Sequence, residues 1–256
     1  MMRQAGTRLT EWERFIAGFP RSRPQQIMST IESNLQVVRA RIATAAGAAG
    51  REPGAIAVLA VSKTFPAEAV RAAHAAGQRE FGENYVQEGL EKIAALAPLR
   101  LSWHFIGPIQ SNKSRSIAEH FDWVHSVARE KIALRLSQAR PEDLGPLDIC
   151  LQVNVSGETS KSGVSPQEVR ALAEAVRALP RLRLRGLMAV PEPSDEIELQ
   201  RRRFRSLRDL LQQLNRAGFA LDTLSMGMSQ DLEAAVMEGA TIVRVGTAIF
   251  GERIKA

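Results

Sequence analysis

Apolar residues recur along this chain with two periods that alternate. From about Ser29, the residues Ile31, Leu35, Val38 and Ile42 fall four, three and four positions apart, which lines one face of a 3.6-residue helix. Gly47 and Gly50 end that stretch. Ala55–Val61 is a continuous apolar run with β-branched residues, as a strand covered on both faces requires. Pro66 suits the first turn of a helix running to Ala76 and stopped by Gly77.

The unit recurs. Arg79–Phe81 precedes a helix from about Asn84 to Leu96, Leu101–Ile106 precedes one starting near Ser111, and Trp123–His125 precedes one over Glu130–Gln138. Leu147–Val155 is followed by Ser165-Pro166-Gln167-Glu168, a capping box with proline at the first helical position. Leu184–Val190 leads to a helix with the core face Ile197, Phe204, Leu207, Leu211 and Leu214. Thr223–Ser225 precedes a helix capped by Ser229 and stopped by Gly239. Thr241–Val245 ends at Gly246, before a short piece at Thr247–Phe250.

Strands alternating with helices predict parallel pairing. Eight such units predict a closed α/β barrel, the (β/α)8 TIM barrel, as a single domain, and 256 residues is a fitting length for one. Residues 1–27 precede the first capped periodic segment and are expected to form a poorly ordered extension, the barrel running from 28 to 256.

Composition narrows the class. With 45% hydrophobic and 24% charged residues, the chain can bury a full core, which excludes wholesale disorder. The one cysteine, Cys150, lies inside an apolar run and leaves no internal disulfide, so a reducing compartment, the cytoplasm, is expected. No stretch approaches the ~20 apolar residues that cross a bilayer.

The net charge of +6 invites a nucleic-acid reading, but residues 1–27 carry half of it. Arg181, Arg183 and Arg185 alternate along one strand, and Arg201, Arg202, Arg203, Arg205 and Arg208 cluster on one helix. Either group is an electrostatic footprint or a solvated face. The lack of a recognition motif or interleaved aromatics counts against nucleic acid.

In such barrels the reacting groups sit on loops after the strands. Lys63 ends the first strand, in Ala60-Val61-Ser62-Lys63-Thr64. Partial desolvation there would lower its pKa and free its amine for Schiff-base chemistry, and the alternative is an ion pair with Glu83. The loops after strands seven and eight, a habitual phosphate position, read Ser225-Met226-Gly227-Met228-Ser229 and Gly246-Thr247-Ala248-Ile249-Phe250-Gly251. Ser225, Ser229 and Thr247 offer hydroxyls, and Gly246 admits an anion close to the backbone. A lysine opposite a phosphate cup suggests an aldehyde cofactor bearing phosphate. Arg244, two residues before Gly246, faces the same side; it would donate to a pyridine nitrogen, or else pair with a glutamate inside the barrel.

His74, His104, His120 and His125 lack metal-ligand spacing. His104 either lines the barrel by the cofactor or is a satisfied core residue. Lys161, after the fifth strand, is a candidate second aldehyde-capturing amine or a solvated loop residue.

The motifs resemble those of the pyridoxal-phosphate homeostasis proteins, single-barrel relatives of the alanine racemase N-terminal domain. The resemblance rests on Ala60–Thr64, Phe81–Glu88, Trp103–Gly107, Gln110–Lys113, Gln152–Glu158, Leu224–Ser229 and Val243–Gly251. It implies a fold-type III barrel in which Lys63 holds pyridoxal 5′-phosphate (PLP) as a Schiff base. Ser225, Gly246 and Thr247 would hold the phosphate, Arg244 would face the pyridine nitrogen, and Asn84 would lie near the cofactor. It also implies a role in carrying or buffering PLP in vitamin B6 and amino-acid homeostasis, with apo PLP-enzymes as partners, no metal and no catalytic residue. The alternative is a racemase-like PLP enzyme on amino acids. Racemisation needs two opposed bases; this chain has one tyrosine, Tyr85, and no second domain is expected after the barrel, so negligible racemase activity follows.

Overall fold

A computed structural model describes residues 24–156 and 162–252. Among the described residues, eight parallel strands close in sequence order into a barrel, the last pairing with the first. The strands are β1 (Ala57–Val61), β2 (Glu80–Glu83), β3 (Ser102–Phe105), β4 (Trp123–Val127), β5 (Leu147–Gln152), β6 (Leu182–Met188), β7 (Thr223–Ser225) and β8 (Ile242–Val245). Helix α1 (Pro24–Ala48) precedes them. The crossovers carry α2 (Ala67–Ala75), α3 (Val86–Ala95), α4 (Ser114–His120), α5 (Glu130–Ala139), α6 (Val169–Arg177), α7 (Ile197–Arg216) and α8 (Leu232–Met237), and α9 (Thr247–Phe250) follows β8.

The period of two sorts side chains between two interiors. Val58 and Ala60, Trp103 and Phe105, Ile149 and Leu151, and Val243 and Val245 face outward into the sheet–helix core. The intervening positions, Leu59, His104, Cys150 and Arg244, are also buried but lie outside that core, in the bore of the barrel. Burial on both sides explains why the strands read as near-continuous apolar runs. The expected stripe of α1 is buried at Ile31, Leu35, Val38 and Ile42. Among the described residues, no helix is long and apolar enough to cross a membrane.

Four local expectations are corrected. Helix α1 starts at Pro24, five residues ahead of Ser29. Ile197 opens α7 and is 51% exposed, and of the expected stripe Phe204, Leu207, Leu211 and Leu214 are buried. The capping box forms, with the Ser165 amide donating to Glu168 Oε2 at 3.3 Å, but it closes a turn ahead of α6. Asp231, not Ser229, precedes the first residue of α8, and its Oδ1 accepts the Met228 amide at 2.5 Å.

Candidate functional site

The C-terminal ends of the strands surround a cavity of about 580 Å³, within the range of small-molecule sites. Lys63, Asn84, Arg244, Gly246 and Thr247 all line it, together with Ser229 and Asp231. The structure therefore brings five of the six expected binding residues to one place.

Lys63 follows β1 by two residues and is partly buried. Its backbone leads into Thr64, which holds the left-handed conformation at φ +68°. The Thr64 amide donates to Glu88 Oε1 at 2.5 Å, anchoring the turn to α3. Glu83, the candidate partner of Lys63, is taken by others: Lys92 Nζ and Ser62 Oγ donate to its Oε1 at 2.7 and 2.6 Å. Lys92 also donates to Ser62 O and Glu88 Oε1. Burial pushes the Glu83 carboxyl up from its ordinary value despite Lys92.

Asn84 is set by close packing. A Cβ on Gly107 would come within 2.1 Å of the Asn84 carbonyl oxygen, so only glycine allows the two loops to meet. Asn84 Oδ1 is buried with no hydrogen-bond partner among the described residues.

Arg244 is 4% exposed. Its Nη1 donates to the Ser225 carbonyl and Oγ at 2.5 and 2.7 Å, and its Nη2 donates to the Ala189 carbonyl at 2.8 Å. Burial lowers its pKa to about 10, which leaves it a cation at neutral pH. Among the described residues its hydrogen-bond partners are these two backbone carbonyls and the Ser225 hydroxyl, not a glutamate.

Ser225 departs from the expectation. It is fully buried, does not line the cavity, and its hydroxyl meets Arg244 and His125 in the bore. The strand period explains this: Ser225 still belongs to β7, whereas Ser229 lies beyond the strand and lines the cavity. Gly227, at φ +92° with its α-hydrogen toward Ala235 Cβ, makes that departure possible; a Cβ there would stand 2.5 Å from Ala235. His104 is the satisfied core residue of its two readings, bonded to His125 and Ser102. The role of His125 was missed, although its place two residues into β4 matches that of His104 in β3. Lys161 lies outside the described residues.

Internal pairs take up much of the positive charge. Arg183 and Arg185 bind Asp148, and Arg185 also binds Asp222 at 2.8 Å; Arg181 precedes β6 rather than lying on it. Arg201, Arg205 and Arg208 converge on Glu238, which is 1% exposed. Burial works against that carboxylate, and the hydrogen bonds from Arg205 and Arg201 outweigh it, holding it below its ordinary range. Among the described residues, no group of three potential ligands could hold a metal ion.

The family model described as the alanine racemase N-terminal domain matches residues 29–254. Alanine racemase from Corynebacterium glutamicum shares the fold, with a TM-score of 0.66 at 16% identity, covering 87% of this chain and 60% of that one. PipY from Synechococcus elongatus PCC7942, solved with PLP bound, has a TM-score of 0.76 at 38% identity, covering 86% of this chain and all of that one. A pyridoxal phosphate homeostasis protein from Pseudomonas aeruginosa is 66% identical over 226 residues, 88% of this chain and 97% of the relative. The chain belongs to the pyridoxal phosphate homeostasis protein family.

Proposed function

We propose that the cavity binds PLP through a covalent bond to Lys63, and that the protein carries or buffers this cofactor without catalysing a reaction of its own. The observation that carries this reading is a primary amine at the mouth of a closed barrel, sharing one cavity with Asn84, Arg244, Gly246 and Thr247. The PLP bound in PipY and the name of the Pseudomonas relative support it.

The residues present fit the cofactor. When bound, PLP supplies an aldehyde that condenses with a neutral primary amine and releases water. Asn84 Oδ1 is a buried acceptor without a donor, which a hydroxyl-bearing ring can supply. Arg244 offers a fixed positive donor. The hydroxyls of Thr247 and Ser229 suit an anionic tail, and Gly246 leaves the backbone bare beside them.

A racemase-like enzyme is the second reading, favoured by the fold shared with alanine racemase. Tyr85, the chain's single tyrosine, is 56% exposed and does not line the cavity. A positioned acid–base group supplies about 10²–10⁴-fold, and with Tyr85 outside the cavity turnover is expected to stay at background. The carrier role makes apo PLP-enzymes the partners, and the free buried Cys150 is in keeping with the cytoplasm.

Purified protein incubated with PLP is expected to absorb in the visible range and, after borohydride, to carry a stable adduct that peptide mapping assigns to Lys63. Lys63→Ala is expected to abolish it, and neither form should racemise alanine above background. A parent protein that remains colourless and yields no reducible adduct would overturn the reading.

A further inference from the structure

Beneath the cavity, the bore of the barrel holds a line of buried polar groups contributed by four strands. Arg244 Nη1 donates to Ser225 Oγ at 2.7 Å. Ser225 Oγ lies 2.7 Å from His125 Nδ1, and His125 Nε2 lies 2.9 Å from His104 Nδ1. His104 Nε2 lies 3.1 Å from Ser102 Oγ. Arg244, Ser225, His125 and His104 are each 4% exposed or less. Ser102 begins β3 and is only partly buried, so the line crosses from the cavity to the opposite mouth. His104 is also stacked on Trp123, the ring planes 3° apart.

The line has a direction, and Arg244 sets it. A guanidinium has donors only, so Arg244 occupies a lone pair of Ser225 Oγ. The acceptor in reach of the Ser225 hydroxyl proton is then His125 Nδ1. His125 must carry its own proton on Nε2, from which it donates to His104 Nδ1. His104 in turn carries its proton on Nε2 and donates to Ser102. The reverse polarity would aim two donors at Ser225 Oγ and leave the hydroxyl proton buried without an acceptor, an arrangement that folded proteins avoid. No ring nitrogen or hydroxyl of this line is among the buried unpaired atoms. Burial holds both rings neutral, His104 down to about 3 and His125 well below its ordinary value. A second proton on His104 would set two donors face to face between the rings, and one on His125 would fall on Nδ1, against the hydroxyl proton of Ser225.

We propose that Ser225, His125 and His104 are positioning residues for Arg244, forming a one-way hydrogen-bond chain that seats its guanidinium against the cavity floor as a permanent donor. Two carbonyls, of Ser225 and Ala189, hold its other side. The chain exists in the protein without ligand. Its consequence for the loaded protein rests on the PLP reading: the cofactor then meets a cation that can neither swing away nor give up its proton.

Nitrogen-15 NMR of histidine-labelled protein without ligand reads the tautomers directly. Two neutral rings protonated on Nε2 are expected for His104 and His125; a ring protonated on Nδ1, or charged at neutral pH, would overturn the proposal. In PLP-loaded protein, Ser225→Ala is expected to shift the visible spectrum and speed PLP release about tenfold, the effect of mis-seating one charged donor. An unchanged spectrum and release rate would reduce the chain to core packing and end the proposal. Should the parent take up no PLP, the reading of the cavity fails instead, while the ring tautomers still decide the direction of the chain.

Discussion

Thr64 is a β-branched residue in the left-handed region, where a side chain costs about 1–2 kcal/mol. The turn persists because its amide is held by Glu88 and its Oγ1 donates to the Lys63 carbonyl at 2.6 Å. Strain of this kind gathers where a backbone must aim a side chain, and here the next side chain upstream is Lys63. Thr64→Gly is expected to stabilise the fold by about 0.5–1 kcal/mol, since glycine accepts this φ but loses more chain entropy on folding. Urea unfolding measures it, and a variant less stable than the parent would contradict the strain. Lys63 was legible from its place at a strand end. Ser225 was assigned to the cavity because its loop reads as a phosphate cup. Its true place follows from strand parity, which the sequence shows only once the end of β7 is known.

At the scale of elements, α3 is joined to β1 and β2 through one ammonium group. Lys92 is 5% exposed and Glu83 fully buried, their charged atoms 2.7 Å apart. Removing one partner of such a pair strands the other's charge, typically at a cost of about 3–5 kcal/mol. Lys92→Met is expected to destabilise within that range in urea unfolding, and Lys92→Met with Glu83→Gln to recover part of the loss. Additive losses would show that the pair is not coupled. The order and type of these elements were legible because two-sided burial writes long apolar runs and glycines such as Gly77 and Gly239 stop the helices. Which carboxylate Lys92 serves was less so. The Glu88–Lys92 spacing of four was visible, but the approach of Glu83 depends on how α3 lies across the sheet, and no local period encodes that.

For the molecule as a whole, the two bore histidines set a response to acid. His104 protonates near 3 in the fold against an ordinary 6.5, so below 6.5 the unfolded chain binds a proton that the folded one refuses. Stability must therefore fall as pH falls from about 6.5 toward 3, by up to about 1.4 kcal/mol per pH unit for this ring. Glu80, Glu83, Asp122 and Asp231, all raised by burial, act in the opposite sense near their own titration range. A His104→Asn variant isolates the histidine: its stability is expected to decline less steeply than the parent's between pH 6.5 and 5. Parallel curves would show that the ring is not held neutral. The barrel and five of the six expected binding residues could be read from the chain, because strand ends converge on one rim whatever the details. The polar line through the centre could not, since its members come from four strands and meet only on closure. That line, with Trp123 and its neighbours, plugs the barrel from below. Among the described residues the upper rim is the open side, so whatever removes a molecule settled there would come to the side by which it entered, and a protein seated over that rim would govern loading and discharge alike.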